Sequence, residues 1–247
     1  MDNSSYINIA RQSGLLKELR MIANNIANVS TTGYRREGAI FTEFVKAQEG
    51  AGSVEGANNV TSMGRLGAHF SDFSVGSLKQ TGGTFDLAID GEGFFSVETP
   101  AGTRLTRAGN FMTNQTGALV TPSGYFVLDN EGSPIQIPQG VSQIAIGGDG
   151  TISADGVPAG RIGVFTAPQS AMMRMGDNLW EVAEGAAEAH TNTRVLQGFL
   201  EGSNVKVVNE IARMIEVQRS YEAGQKMVDF EDDRVNKTIS AIRQAVT

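Results

Sequence analysis

The sequence predicts an α+β protein, in which an antiparallel β-rich middle domain lies between N- and C-terminal helices that pair as a coiled coil. Apolar residues recur in steps of three and four at both ends of the chain, whereas turn signals recur about every 8–15 residues in its middle. No helical period interrupts these turn signals, which argues against a parallel sheet of alternating strands and helices. We divide the chain into an N-terminal helix (1–34), an extended glycine-rich arm (35–76), an all-β domain (77–198) and a C-terminal helix (199–247).

The N-terminal helix is predicted from a short heptad pattern that ends before Gly33. A seam with a period of 3.5 residues is typical of helices that wrap around one another. Gly33 favours a helix stop there, because glycine readily adopts the left-handed backbone that often follows a last helical turn. The apolar seam positions are Leu15, Leu19, Ile22, Ile26 and Val29.

Three asparagines on this helix are candidate contacts between helices. Asn24, Asn25 and Asn28 are spaced so that their side chains share part of one helix face. Asparagine is a poor helix former. We therefore expect these side chains to hydrogen-bond to a neighbouring helix, with a solvated face near the helix end as the alternative.

The arm and the β domain differ in their glycine content and in their turn signals. The stretch 49–59 in the arm is small, polar and glycine-rich, so it cannot bury much apolar surface by itself and we expect its neighbours to order it. In the β domain, turn signals precede short apolar runs, as the turn at 90–93 precedes the run at 94–97. Repeated turns of this kind indicate an all-β domain.

The C-terminal helix is predicted from the longest apolar repeat in the chain. Its period of 3.5 is sustained for over five heptads, roughly 60 Å of helix, which favours a coiled coil over a helix packed within its own domain. Gln218, Gln225 and Asp232 interrupt the seam, and polar seam residues can fix register and partner. The seam positions are Val207, Ile211, Met214, Gln218, Tyr221, Gln225, Val228, Asp232, Val235, Ile239, Ile242 and Val246.

Composition and charge exclude several classes of function. The 247 residues carry a net charge of −7 without a basic patch, so we expect no nucleic-acid partner. The chain has no cysteine, which excludes disulfides and thiolate chemistry. No apolar stretch approaches the roughly 18 residues of a membrane span, so we expect no direct membrane insertion. The first residues lack the regions of a cleavable signal, so we expect a cytoplasmic chain or one exported without such a signal.

The sequence indicates no catalytic residue, no metal site and no cofactor. His69 and His190 lie far apart and lack the spacing of a zinc site. Asp86, Asp90 and Glu92 form a candidate carboxylate cluster, but the intervening glycines favour a turn. A hydrolase built on these carboxylates is therefore the weakest hypothesis.

Several segments resemble signatures shared by bacterial flagellar rod and hook proteins. Residues 23–34 (ANNIANVSTTGY) resemble the N-terminal signature of that family, and residues 200–205 (LEGSNV) resemble its C-terminal signature. Residues 87–95 (LAIDGEGFF) and 106–111 (TRAGNF) are similar to its β domain. The matches span nearly the whole chain in the order that the family has.

Length and local sequence narrow the position within this family. The chain is too short for the outer domains of a hook protein and too long for the small rod proteins. The start of the chain and the segments 97–102 and 159–165 resemble the proximal-rod member more than the distal-rod member. Tyr34, where the family usually has phenylalanine, keeps the aromatic ring, and Gly202 is an insertion that would alter the entry to the last helix.

The resemblance implies a structural subunit of the flagellar basal-body rod and not an enzyme. It implies export through the flagellar type III apparatus without a cleaved signal, followed by helical polymerisation in the periplasm into a hollow drive shaft. The expected partners are copies of the chain and other rod proteins. The alternatives are a distal-rod subunit and a self-contained, non-enzymatic binding module. The expected assembly residues are Leu15, Leu19, Ile22, Asn24, Asn25, Ile26, Asn28, Val29, Val207, Ile211, Met214, Gln218, Tyr221 and Val228.

Overall fold

The computed structural model describes residues 3–47, 60–190 and 194–245. Within these residues the chain is α+β, with one long helix at each end and antiparallel sheets between them. The glycine-rich stretch predicted at 49–59 lies outside the described residues.

The helices follow the apolar repeats of the two chain ends. Helix α1 spans Asn3–Ala27, and helix α2 spans Val207–Ala245 with 39 residues. Helix α1 ends six residues before the expected stop at Gly33, because the chain turns where the Thr31 backbone N–H donates to the Asn28 carbonyl, 3.2 Å away. Hydroxyl-bearing residues favour such turns over continued helix. Val29 therefore lies beyond the end of α1 and not on its seam.

The described parts of the predicted arm form two paired strands. Strand β1 (Glu37–Ala47) and strand β2 (Val60–Ser71) are antiparallel, with a register shift between Ile40 and Phe41. The sequence did not predict these strands, because the whole segment was assigned as an arm from the composition of the glycine-rich stretch between them.

The middle of the chain is built from short antiparallel strands, as predicted. The strands are β3 (Leu78–Gln80), β4 (Leu87–Asp90), β5 (Phe94–Thr99), β6 (Gly102–Thr106), β7 (Met112–Thr113), β8 (Leu119–Val120), β9 (Phe126–Val127), β10 (Ile144–Ile146), β11 (Thr151–Ala154), β12 (Val157–Arg161), β13 (Val164–Thr166), β14 (Met172–Arg174), β15 (Leu179–Val182), β16 (Glu188–Ala189), β17 (Arg194–Gln197) and β18 (Phe199–Glu201). A short 3₁₀ helix spans Gln169–Ala171.

The largest sheet has nine strands and supports the main core. Its continuous path is β14-β15-β6-β5-β9-β8-β7, and β13 pairs with both β5 and β16. Smaller sheets are formed by β10-β11-β12, by β17 with β4, and by β18 with β3. The buried cluster contains Leu87, Ile89, Phe95, Val97, Phe111, Leu119, Val127, Ile135, Ile137, Ile146, Ile152, Ile162, Val164, Leu179 and Val195.

The chain forms two compact units. The helix-and-ribbon unit contains Met1–Ala27, Glu37–Asp72 and Lys206–Thr247, and the β-rich unit contains Asn28–Arg36 and Phe73–Val205. Short segments at both predicted helix boundaries thus pack with the β strands. The four-part division proposed from the sequence stays a prediction.

Candidate assembly site

Helices α1 and α2 pack antiparallel within the helix-and-ribbon unit. Gln12 of α1 lies beside Gly224, whereas Asn25 near the end of α1 lies beside Glu210 near the start of α2. The apolar contact between the helices consists of Leu15, Ile22 and Val217, with Leu19, Ile26, Met214 and Tyr221 packed against them. Six of the predicted assembly residues thus lie between the two helices of one chain. That the two helices form a coiled coil stays a prediction.

The face of α2 that packs against α1 coincides with the predicted seam at alternate positions. At the positions between, the covered residue is the one before the predicted residue. The buried and half-buried positions of this face are Val207, Glu210, Met214, Val217, Tyr221, Gly224, Val228 and Glu231. The predicted seam residues Ile211, Gln218, Gln225 and Asp232 are exposed instead. These four do not lie on the face that α1 covers, and their contact with a neighbouring subunit stays a prediction. Apolarity favoured Ile211 over its polar neighbour Glu210, but Glu210 has a partner in α1 that the sequence pattern does not reveal.

Asn25 is that partner, and its side chain is fully buried. Its Nδ2 donates to Glu210 Oε2, 3.1 Å away, and to the Glu37 carbonyl, 2.8 Å away. Its Oδ1 accepts from the Glu37 backbone N–H at 3.0 Å. One amide therefore joins α1, α2 and the start of β1. Since a buried polar group costs free energy unless it is paired, these bonds explain why an asparagine is tolerated there.

The other two predicted asparagines have different surroundings. Asn24 is exposed, and Asn28 lies beyond α1, where its Oδ1 accepts from Thr31 Oγ1 at 3.0 Å. Asn25 donates a hydrogen bond to the other helix, as was expected of these asparagines.

An ion pair lies beside the contact between the helices. Arg213 Nη2 of α2 is 2.7 Å from Glu18 Oε1 of α1, and the Arg213 side chain is about half exposed. Glu18 is largely buried, so the pair joins the two helices at the rim of their contact.

The seam of α2 continues beyond the described start of α1. The antiparallel register places Asn3 opposite about residue 233, so the last 12 or so residues of α2 extend roughly 18 Å further. Val235, Ile239 and Ile242 continue the same helix face in steps of four and three and are 46%, 56% and 60% exposed. We call these three residues the overhang seam.

A second apolar surface lies on another face of the first turns of α2. Val208, Ile211 and Ile215 are spaced three and four residues apart, which places them on one face of the helix. All three are exposed, Val208 most of all at 79%. We call these three residues the basal patch.

In the β-rich unit, the two signature segments of the sequence meet at a buried group of charges. Glu201 accepts hydrogen bonds from Arg35 Nη1 at 2.6 Å and from Arg107 Nε at 2.5 Å. The backbone N–H of Gly33 donates to the Glu201 carbonyl at 2.8 Å. All three charged side chains are buried. We call residues 33–36, Arg107 and residues 201–204 the terminal clasp.

Arg107 of the clasp is enclosed by the turn that the sequence predicted after β4. Its guanidinium donates to the carbonyls of Ile89, Gly91 and Gly93 in addition to the Glu201 carboxylate. Burial lowers the pKa of Arg107, against the raising effect of Glu201 beside it. The sequence reasoning missed Arg107, whose only signal was its place in the family-like segment 106–111.

The residues considered for chemistry have ordinary structural surroundings. Asp86 Oδ2 accepts from Thr81 Oγ1 at 2.6 Å, and Asp90 is an exposed residue at the end of β4. His69 Nδ1 lies 3.0 Å from Met21 Sδ, and the His190 backbone N–H donates to the Val164 carbonyl. Among the described residues, no three His, Asp or Glu side chains are grouped to hold a metal ion. Neither helix, as far as it is described, is long and apolar enough to cross a membrane.

Three family models match the chain and follow one another along it. Residues 7–35 match the flagella basal body rod protein model, and residues 88–154 match the flagellar hook protein FlgE/F/G D1 domain. Residues 196–241 match the C-terminal model of the flagellar basal body rod FlgEFG protein. The two terminal matches contain Asn25, the clasp residues Arg35 and Glu201, and most of the α1–α2 contact.

Curated relatives match over nearly their whole length. The chain is 40% identical to the flagellar basal-body rod protein FlgF of Caulobacter vibrioides over 93% of both chains. It is 34% identical to FlgG of Bacillus subtilis over 98% of this chain and 100% of that protein. It is 33% identical to FlgF of Rhizobium meliloti over 98% of both chains. These relatives carry the names of rod proteins, and none of these matches indicates a catalytic family.

Proposed function

Because the chain belongs to the family of flagellar basal-body rod proteins, we propose that it is a structural subunit of the bacterial basal-body rod, of the FlgF type. The 40% identity to a FlgF over 93% of both chains supports this type over FlgG, for which the identity to the relative from Bacillus subtilis is 34%. The subunit acts by assembly and supplies no chemistry. Its partners are copies of itself and other rod proteins.

The overhang seam is the observation that carries the assembly mechanism. Val235, Ile239 and Ile242 continue a face that α1 covers further back, yet they have no described part of α1 beside them. Burying a side chain of this kind contributes about 1.5–3 kcal/mol when it was fully exposed. Since these are about half exposed, a helix from a neighbouring subunit would gain part of that amount at each position.

The basal patch provides a second contact on another face of α2. A helix with one apolar surface covered by its own chain and another left exposed can bind a neighbour while keeping its internal partner. When the two contact surfaces of a subunit differ, the association is head-to-tail and does not have to close into a dimer. Repetition of such a contact produces an open helical polymer, as a hollow shaft requires.

Export and location follow from the same proposal. The subunit travels through the flagellar type III apparatus, without a cleaved signal, and polymerises in the periplasmic part of the basal body. Terminal helices that gain their full burial from neighbours would disfavour polymer formation before export, because an isolated subunit has to offset the ordering cost alone.

Substitutions in the overhang seam test the assembly mechanism. In a motile bacterium that relies on this chain, the double variant Ile239→Asp/Ile242→Asp should abolish swimming and the recovery of complete rods, while the purified subunit keeps its melting temperature. Ser240→Asp is the matched control, since it adds a charge to the same exposed stretch on another helix face. Normal swimming by the double variant would show that the overhang seam is not an assembly contact.

Complementation tests the assignment to the FlgF type. Expressed in Caulobacter vibrioides lacking its own FlgF, this chain should restore swimming, whereas the same plasmid should not help a strain lacking FlgG. Rescue of the FlgG-deficient strain alone would place the chain at the distal-rod position instead.

A further inference from the structure

Glu201 holds together three segments that are far apart in the sequence of the β-rich unit. Its carboxylate accepts from Arg35, from Arg107 and, at Oε1, from the Gly76 backbone N–H, 2.7 Å away. Its carbonyl accepts from the Gly33 backbone N–H. A single residue thus contacts the chain before β1, the chain before β3 and the large sheet.

The backbones around this carboxylate are packed too closely for independent movement. A Cβ added at Gly33 would lie 2.4 Å from the Ala108 nitrogen, and one at Gly76 would lie 2.0 Å from the Gly202 carbonyl oxygen. Further bonds join the segments: the Arg36 N–H donates to Asn204 Oδ1 at 2.7 Å, and the Gly202 N–H donates to the Ser77 carbonyl at 2.8 Å.

The buried charges couple the ordering of these segments to one another. Arg35 and Arg107 are each 2% exposed, so loss of the Glu201 charge would leave two cations in one buried site. Breaking a buried ion pair by removing one partner is strongly unfavourable, since the remaining charge has lost its compensation. The segments therefore gain more from ordering together than from ordering separately.

We propose that Glu201 is a latch that makes the segments 33–36, 73–77 and 201–204 order as one cooperative element in the lone chain. With the latch closed, the β-rich unit of a free subunit holds together its segments that precede β1, follow β2 and precede α2. This inference concerns the isolated subunit and does not depend on polymerisation, so it can fail while the proposed function stands.

Amide hydrogen exchange on the full-length subunit tests the latch. Glu201→Gln keeps the shape and an acceptor but removes the charge. We expect the amides of Gly33, Arg36 and Gly202 to exchange at least tenfold faster, all by a similar factor. Glu181→Gln is the matched control, because it removes a carboxylate from the same unit that pairs with Arg104 and is 36% exposed. These amides should keep their rates in the control.

The pattern of rates decides between a latch and a local contact. The Arg36 amide donates to Asn204. If Glu201→Gln speeds the exchange of the Gly33 and Gly202 amides but leaves the exchange rate of the Arg36 amide unchanged, the proposal is overturned. If Glu201→Gln unfolds the whole unit, Asn204→Ala decides instead. A latch then predicts faster exchange at Gly33 and Gly76, whose N–H groups donate to Glu201, whereas a change confined to Arg36 contradicts it.

Discussion

Asn25 donates a hydrogen bond to Glu210, 185 positions further along the chain, and both side chains are buried where α1 and α2 meet. The same amide also pairs with the backbone of Glu37 at the start of β1. The contact lies where the helices approach the β strands of their own unit. It fixes which face of α2 turns towards α1, because only one rotation of the helix brings Glu210 to the amide.

Replacement of Asn25 should therefore destabilise the helix-and-ribbon unit. Asn25→Ala removes a donor from a buried carboxylate and should lower the free energy of unfolding by about 1–3 kcal/mol. The matched control is Lys17→Ala, an exposed position on the same helix, with an expected change within about 0.5 kcal/mol. Urea unfolding followed by circular dichroism measures both, and equal losses would contradict the role of the buried amide.

Gly33 should be irreplaceable for two separable reasons. Its φ of +68° costs an alanine about 1–2 kcal/mol, and a Cβ there would also meet the backbone of Ala108. Gly82 has a φ of +74° with open space around its Cβ, so Gly82→Ala measures the conformational cost alone. Gly33→Ala should lower the unfolding free energy by at least about 1 kcal/mol more. Similar unfolding midpoints for the two variants would disprove the close approach.

The buried guanidinium of Arg107 should not tolerate lysine. An ammonium group cannot reproduce the fork that reaches three carbonyls and the Glu201 carboxylate, so Arg107→Lys should cost about 3 kcal/mol or more. Arg104→Lys is the control, since Arg104 pairs with the partly exposed Glu181 and should cost less than about 1 kcal/mol. Thermal unfolding distinguishes the two, and a stable Arg107→Lys variant would contradict the geometry of the clasp.

The two sides of α2 should respond differently to a new charge. Val217→Asp places a carboxylate in the contact with α1, where the side chain is 2% exposed, and should lower the melting temperature of the lone subunit. Ile211→Asp lies in the basal patch, where the side chain is 46% exposed, and should leave melting unchanged while blocking assembly. Calorimetry and a swimming assay separate these effects. Loss of swimming without loss of stability in Val217→Asp would reverse the two roles.

The local patterns of the sequence predicted both helices and the strands of the β-rich unit, but not strands β1 and β2 or the rotation of α2. Steps of three and four predicted both helices, and turn signals predicted the antiparallel strands, because both depend on near neighbours. Two helical faces, offset by one residue at the positions between, share Val207, Met214, Tyr221 and Val228. The choice between them rests on Asn25 meeting Glu210 and on Gln12 meeting Gly224, which are tertiary contacts.

Local sequence patterns could not predict the terminal clasp either, because its contacts join residues that are far apart in the chain. Arg107 and Glu201 are 94 positions apart, and neither lies in a pattern that predicts a buried charge. The family-like segments marked the right regions, since both residues lie within them. Only the fold shows that these segments meet and that the turn after β4 supplies carbonyls to Arg107.

If the rod assembles through α2, the basal patch and the overhang seam are exposed in the free subunit and covered in the assembled rod. The chain has no cysteine, so single variants Ile211→Cys and Ile239→Cys can be labelled with a maleimide without background. Isolated basal bodies should react at least tenfold more slowly than the purified subunit, and dissociation of the same basal bodies in denaturant should restore full labelling. Equal rates in the two states, at both positions, would contradict assembly through α2.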